Sequence, residues 1–280
     1  MSFDVMAVVL FAAALHAAWN ALVRGAADKF LDTVLIVSGA AIWTVLLLPL
    51  LPLPAQASWP YLAASVVIHV VYFALVAFSF HGGELSFAYP LMRGAAPALT
   101  AVGGVLLIDE TPSAGAWAGV LLISCGVLAM AADSWRTGAL RAAPAMSALA
   151  TAAVIVIYTL IDGQGARASG HAFSYTGWMF LLTAPPLLAI AAVRQGRDLR
   201  LRLRAAWFRA LLGGACTLAS YGLALWAMTR APIALVAALR ETSVIFAALI
   251  AALVLRERIT RIRYASIAVV CLGAVLIKAF

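Results

Sequence analysis

AYPLMRGAAPALTAVGGVLLIDE, residues Ala88–Glu110, is the stretch that decides the fold. It is apolar and long enough to cross a bilayer, which takes about 20 helical residues. Yet it carries Arg93 near its middle and two prolines, Pro90 and Pro97. A second stretch, AALRETSVIFAALIAALVLRE at Ala237–Glu257, places Arg240 seventeen positions before its terminal acid, the same spacing that separates Arg93 from Glu110. An arginine held in hydrocarbon costs at least about 3 kcal/mol, so each marks a functional site by default. Two in matching places call for a common explanation.

The whole chain shares this character. It is 65% hydrophobic and 11% charged over 280 residues, with a mean hydropathy of +1.05. Soluble domains are nearer half apolar and a quarter charged, so the reading is an all-α integral membrane protein. The first segment reads as a span and not a cleaved signal, because it lacks a basic leader and carries His16, Trp19 and Asn20. The formal charge of +8 sits mostly in a few loops, so it bears on membrane orientation and not on nucleic acid. Cys125, Cys216 and Cys271 fall in apolar segments without metal or disulfide spacing and read as small core residues.

Hydropathy predicts ten transmembrane helices, near Phe3–Val23, Asp32–Pro52, Pro60–Phe80, Glu84–Ile108, Ser113–Ala132, Pro144–Ile161, Ala172–Val193, Trp207–Thr229, Pro232–Leu255 and Thr260–Ala279. Continuous apolar runs exclude a transmembrane β-barrel, whose strands alternate. A shift of 147 positions lays Arg93 on Arg240, Leu106 on Leu253, Glu110 on Glu257 and Gly126 on Gly273 without a gap. Upstream, Tyr72 falls near Tyr221 and Trp19–Asn20 near Tyr158–Thr159. The chain therefore divides into residues 1–133, a first five-helix repeat, a cytoplasmic connector at 134–143, and residues 144–280, a second five-helix repeat. Five spans per repeat invert one half relative to the other, the plan of secondary transporters with a midplane site.

Loop charge sets the orientation. Arg24, Lys29, Arg136, Arg141, Arg194 and the arginines of 197–209 and 256–263 lie on one side, against Arg167, Arg230 and Lys278 on the other. The positive-inside rule makes the first side cytoplasmic and puts both termini outside a bacterial-type inner membrane. RDLRLRLRAAWFR, Arg197–Arg209, reads as a basic cytoplasmic loop or interfacial segment against anionic headgroups.

HAAWNALVRGAADK from His16 onward, YPLMRGAAPALTAVGGVLLIDE, YTLIDGQGAR and ALRETSVIFAALIAALVLRERIT together resemble the EamA-type transporters of the drug/metabolite transporter superfamily. The likeness covers essentially the whole chain. It implies a secondary transporter, commonly an exporter of amino acids or other small metabolites, with a central cavity between two halves. The small multidrug members use a membrane-embedded glutamate in their first helix. Here that helix has only Asp4 at its mouth and His16 at depth, which argues against a cationic-drug substrate.

Candidate substrate-binding residues follow from polar side chains placed at depth. His16, Trp19 and Asn20 share one helix face, and His16 titrates near neutral pH, making it a candidate for proton coupling. His69 and Tyr72 are three apart, with Tyr221 as the partner of Tyr72; such aromatics suit a wet cavity or a packed core equally. Tyr89 and Arg93 are four apart, and Arg93 offers a planar fork for a carboxylate or phosphonate. Arg240 adjoins Glu241 but points about 100° away from it, so Glu241 is a natural partner for Arg93 and a second proton-coupling candidate. Tyr158 and Asp162 are four apart on the sixth helix; Asp162, before Gly163–Gln164–Gly165, is placed near a helix end, hydrated, either as a cap or as a third proton-coupling group. Glu110 and Glu257 read as structural, bonding backbone at neighbouring helix ends.

The leading reading is a secondary exporter or exchanger of a small anionic or zwitterionic metabolite, such as an amino acid or an organic or phosphonic acid. It works by alternating access, hinged at Pro90, Gly94, Pro97, Gly103 and Gly104. Its partners are that metabolite and the lipid bilayer, with proton coupling, no cofactor, no metal and no nucleic acid, as a monomer or weak dimer. The alternative, a membrane-embedded transferase acting on a lipid-linked substrate, needs clustered acids or a nucleophile with a base. The sole adjacent acids, Asp109–Glu110, close a helix. A scaffold or channel is the third reading.

Overall fold

The computed structural model describes residues 1–24, 28–79, 85–135, 142–196, 199–253, 256 and 260–279. Within these ranges, the side chains at 24, 74, 76–79, 85–90, 131–135, 142–145 and 200 lie outside the description. The helices of the first half are α1 (Phe3–Arg24), α2 (Lys29–Leu47), α3 (Trp59–Ser79), α4 (Leu85–Ile108) and α5 (Ala114–Trp135). Those of the second are α6 (Ala142–Ala168), α7 (Ala172–Gln195), α8 (Leu199–Met228), α9 (Ile233–Arg240), α10 (Ser243–Leu253) and α11 (Arg261–Ala279). No strand occurs among the described residues. Lipid explains this, because every backbone N–H and C=O in hydrocarbon must find its partner within the chain.

Among the described residues, eight helical stretches are long and apolar enough to cross a membrane, with α9 and α10 together forming one of them. The apolar part of α5, Ala114–Met130, is shorter. The chain is a multi-pass integral membrane protein.

Helix contacts run between the halves as much as within them. α5 packs on α11, α2 on α7 and α8, α1 on α8, α9 and α10, α3 on α6 and α7, and α4 on α5, α6 and α9. Hydrophobic burial is weak between helices in lipid, so close backbone approach through small residues takes its place. A Cβ on Gly39 would lie 2.0 Å from the carbonyl oxygen of Ala210, and one on Gly214 2.4 Å from the backbone of Gly39. Gly39→Ala should therefore force α2 off α8, lowering the detergent melting temperature by several degrees. An unchanged melt would show that the seam yields.

Three sequence expectations are corrected. The basic segment 197–209 is not a loop: from Leu199 onward it forms the first turns of α8, and Arg209 Nη1 lies 3.3 Å from Asp32 Oδ2 on α2. The sixth helix does not stop at Ile161 but runs to Ala168. The ninth is broken, with α9 ending at Arg240 and α10 starting at Ser243. The chain at the break keeps i→i−3 bonds, from Glu241 N–H to Ala238 O (3.0 Å) and from Thr242 N–H to Leu239 O (3.0 Å), and Thr242 Oγ1 donates to Leu239 O at 2.6 Å. By contrast α4 runs unbroken past Pro90 and Pro97. Asp109, after α4, and Arg256, after α10, both take a left-handed backbone conformation, φ 55° and 54°. The connection at 81–83 and most of the connector at 134–143 lie outside the described residues, as does Glu257.

Candidate functional site

A cavity of about 90 Å³ lies among α1, α2, α3, α4, α6, α7, α8 and α9. Nine of the residues singled out in the sequence line it together: His16, Trp19, Asn20, His69, Tyr72, Arg93, Tyr158, Tyr221 and Arg240. The side chain of Tyr89 lies outside the described residues.

The charged centre comes from α4 and the broken helix. Arg93 and Arg240 are 6% and 9% exposed, so neither relies on bulk water. Arg93 Nε stands 3.0 Å from Glu241 Oε2, the pairing expected across the two stretches. Glu241 can reach Arg93 because α9 ends there. The Arg240 guanidinium instead stacks over the Tyr221 ring, 5.0 Å from its centroid, an arrangement that offsets part of the cost of burying its charge. Adjacent residues at the break thus take different partners.

On the opposite wall, Trp19 Nε1 donates to His16 Nδ1 at 3.3 Å, and Asn20 Nδ2 donates to His16 O at 2.8 Å. The shared helix face explains this local cluster.

Asp162 differs from its expectation: it is fully buried at 0% exposure, within α6 and away from its end. Tyr175 Oη donates to Asp162 Oδ1 at 3.0 Å, and Tyr221 Oη donates to Asp162 Oδ2. His69, lining the cavity, places Nε2 3.9 Å from Asp162 Oδ2. The aspartate therefore sits one layer behind the cavity wall, joined to it through Tyr221. Tyr175 was missed in the sequence, where a tyrosine in an apolar helix looks like packing.

Other lining residues escaped sequence reading: Thr33, Ile36 and Val37 of α2, Phe73 of α3, Phe180 of α7, and Thr217 and Ser220 of α8. Their hydroxyls are common in membrane helices, where they bond their own or a neighbouring backbone. Thr33 Oγ1 donates to Lys29 O at 2.7 Å, and Ser220 Oγ to Ala12 O of α1 at 2.7 Å. No signal in the sequence marks them as facing a cavity.

Glu110 lies apart from this site. Its Oε2 accepts from the N–H of Ile233, the first residue of α9, at 2.7 Å, and its Oε1 lies 2.6 Å from Arg167 Nη2. Arg167 also donates to Met228 O (2.8 Å) and Ala231 O (3.0 Å) at the end of α8. A carboxylate suits the first turn of a helix because it faces unpaired N–H groups. Among the described residues, no group of three or more His, Cys, Asp or Glu could hold a metal ion.

No curated protein matches the chain. Of solved structures, 27 chains match. One crystal structure superposes with a TM-score of 0.75 at 16% identity, covering 97% of this chain and 94% of its own; at that identity the likeness shows the fold. Residues 143–279 match the EamA-like transporter family. Buried polar groups around a cavity, a multi-pass helical fold and this match agree: residues 143–279 of this membrane protein belong to the EamA-like transporter family, within the drug/metabolite transporter superfamily.

Proposed function

We propose that this protein is a secondary exporter or exchanger of a small anionic or zwitterionic metabolite, such as an amino acid or an organic or phosphonic acid. The observation that carries the reading is the pair of buried arginines, Arg93 and Arg240, on the wall of one cavity. A guanidinium offers a planar fork to carboxylate and phosphonate oxygens. An anionic head group entering the cavity competes with Glu241 for Arg93, and the amine of a zwitterion takes the carboxylate so released. Trp19, Tyr72, Tyr158 and Tyr221 supply flat surfaces and hydroxyls for the rest of the molecule.

Ten spans in two inverted halves, residues 1–133 and 144–280 about a connector at 134–143, fit this reading. Three sets of helix contacts recur when each helix is exchanged for its counterpart in the other half. α1 on α8 mirrors α6 on α3, α2 on α8 mirrors α7 on α3, and α4 on α6 mirrors α9 and α10 on α1. The two left-handed helix ends, Asp109 and Arg256, are 147 positions apart, the offset that relates Arg93 to Arg240. The break at Glu241–Thr242 resembles the interrupted helices that build midplane sites in transporters. We place the protein in a bacterial-type inner membrane with both termini outside, as loop charge requires.

In proteoliposomes preloaded with unlabelled solute, labelled amino acids and organic or phosphonic acids should undergo counterflow. Arg240→Ala should slow it at least about tenfold, the effect of losing one charge-assisted hydrogen bond. Wild-type rates in that variant would assign Arg240 a structural role.

A further inference from the structure

We infer that His69 Nε2 and Asp162 Oδ2 form a proton-binding site, and that this proton is the coupling ion of the transport cycle; the second clause rests on the transporter reading above. Tautomer geometry carries the first. His69 Nδ1 lies 3.0 Å from Ser65 O and 3.2 Å from Ser65 Oγ. A backbone carbonyl only accepts, so the shorter contact is a hydrogen bond in the Nδ1–H tautomer, whereas a bare Nδ1 would accept from the Ser65 hydroxyl. In the Nδ1–H ring Nε2 carries a lone pair, and it faces Asp162 Oδ2 across 3.9 Å. A lone pair facing a carboxylate oxygen is repulsive, and one added proton turns the repulsion into an ion pair. At 3.9 Å the two atoms are too far apart for a hydrogen bond, and drawing them to about 2.8 Å requires only a small movement of α3 towards α6.

The position suits exchange with the cavity. His69 lines it, whereas Asp162 is wholly buried behind it. The polar groups facing the pair are Tyr158 from α6, whose ring stacks on His69 with centroids 4.7 Å apart, Tyr175 from α7, Tyr221 from α8 and Ser65 from α3 itself. Arg240 of α9 is the nearest cation by this route, lying on the Tyr221 ring. The other titratable candidates are engaged elsewhere: His16 Nδ1 with Trp19, Glu241 with Arg93.

Tyr221 is the link between proton and solute. Its hydroxyl donates to Asp162 Oδ2, the oxygen that faces His69, while its ring carries Arg240. When His69 closes on Oδ2, that oxygen is shared with an imidazolium, and the hold on Tyr221 loosens. The ring, and Arg240 with it, is then free to shift. Proton uptake in one layer thereby alters the anion-binding wall in the next.

The test uses wild-type protein with ¹⁵N-labelled histidine in lipid nanodiscs. His69→Gln identifies the His69 signals among the four histidines. The expected result is a neutral Nδ1–H tautomer that takes a proton on Nε2 as the pH is lowered. Asp162→Asn should move the midpoint by a pH unit or more, a tenfold change in proton affinity. A neutral Nε2–H tautomer in the wild type, or a midpoint unmoved in Asp162→Asn, overturns the proposal. The wild-type tautomer decides even where Asp162→Asn fails to fold. In proteoliposomes, the ratio of pH-gradient-driven uptake to counterflow of the same labelled amino acid should fall at least tenfold in Asp162→Asn; an unchanged ratio overturns the coupling role. A wild type that titrates as described but carries no solute sinks the transporter reading and leaves the proton site standing.

Discussion

Arg93→Ala is expected to abolish counterflow and to destabilise the protein, and the two effects are separable. Glu241 Oε2 lies 3.0 Å from Arg93 Nε, with both side chains under 10% exposed. Removing the cation strands a carboxylate in a low-dielectric interior, which typically costs about 3–5 kcal/mol. That loss alone would slow transport by unfolding, so the single variant does not distinguish scaffold from site. Arg93→Met combined with Glu241→Leu removes both charges and keeps the volume. Replacing a buried ion pair by apolar groups is often neutral or stabilising, so the double variant should melt near the wild type. Counterflow should nevertheless stay at background, because the fork proposed to receive the anionic head group is gone. A double variant that melts normally and transports normally would make the Arg93–Glu241 pair a structural bolt.

The second large effect is structural. Glu110→Ala should lower stability by about 2 kcal/mol through loss of two charge-assisted contacts, the Ile233 N–H and Arg167 Nη2. The estimate sits at the low end because Arg167 is 30% exposed and water replaces part of what is lost. Arg167→Ala should cost a comparable amount by releasing the carbonyls of Met228 and Ala231. The pair should show a coupling energy of about 1 kcal/mol in a double-mutant cycle, as for groups in one network. Glu110→Gln keeps an acceptor for Ile233 and should lose about half as much. Hydrogen exchange at the Ile233 amide supplies the local measurement: it should speed up in Glu110→Ala and stay close to wild type in Glu110→Gln. Equal protection in all three would remove the helix-start contact from consideration.

The span character, Arg93, Arg240 and the role of Glu110 were legible because charge is rare in hydrocarbon. A rare residue at a repeated offset stands out against an alanine- and leucine-rich background. Asp162 was misplaced for an instructive reason. Gly163–Gln164–Gly165 looked like a helix end, as glycine often is in water. Here the glycines admit neighbours: a Cβ on Gly163 would lie 2.4 Å from Ile233 Cδ1, and one on Gly165 2.5 Å from the Tyr175 ring. The helix continues, and the aspartate is carried inside with it. The break after Arg240 was invisible because neither proline nor glycine marks it. The Thr242 hydroxyl, folded back onto Leu239 O beside the Thr242 N–H, helps to satisfy the carbonyl at the break. The expected hinges in α4 followed its prolines and glycines, whereas the discontinuity lies in the other half.

The contact of α5 with α11 sets how the halves can move. A Cβ on Gly119 would lie 2.8 Å from Gly273 O, and one on Gly273 2.7 Å from Gly119 O, so the two backbones meet closely at these glycines, flanked by the side chains of Ile277 and Ile123. One helix belongs to each half. Contact of that kind resists parting, since a gap opened along it would forfeit the close packing of both backbones and of Ile123 and Ile277. On the transport reading proposed above, such a line is the fulcrum, and the rocking that carries solute past Arg93 and Arg240 is a seesaw about α5 and α11, with its travel greatest at the helices farthest from that axis.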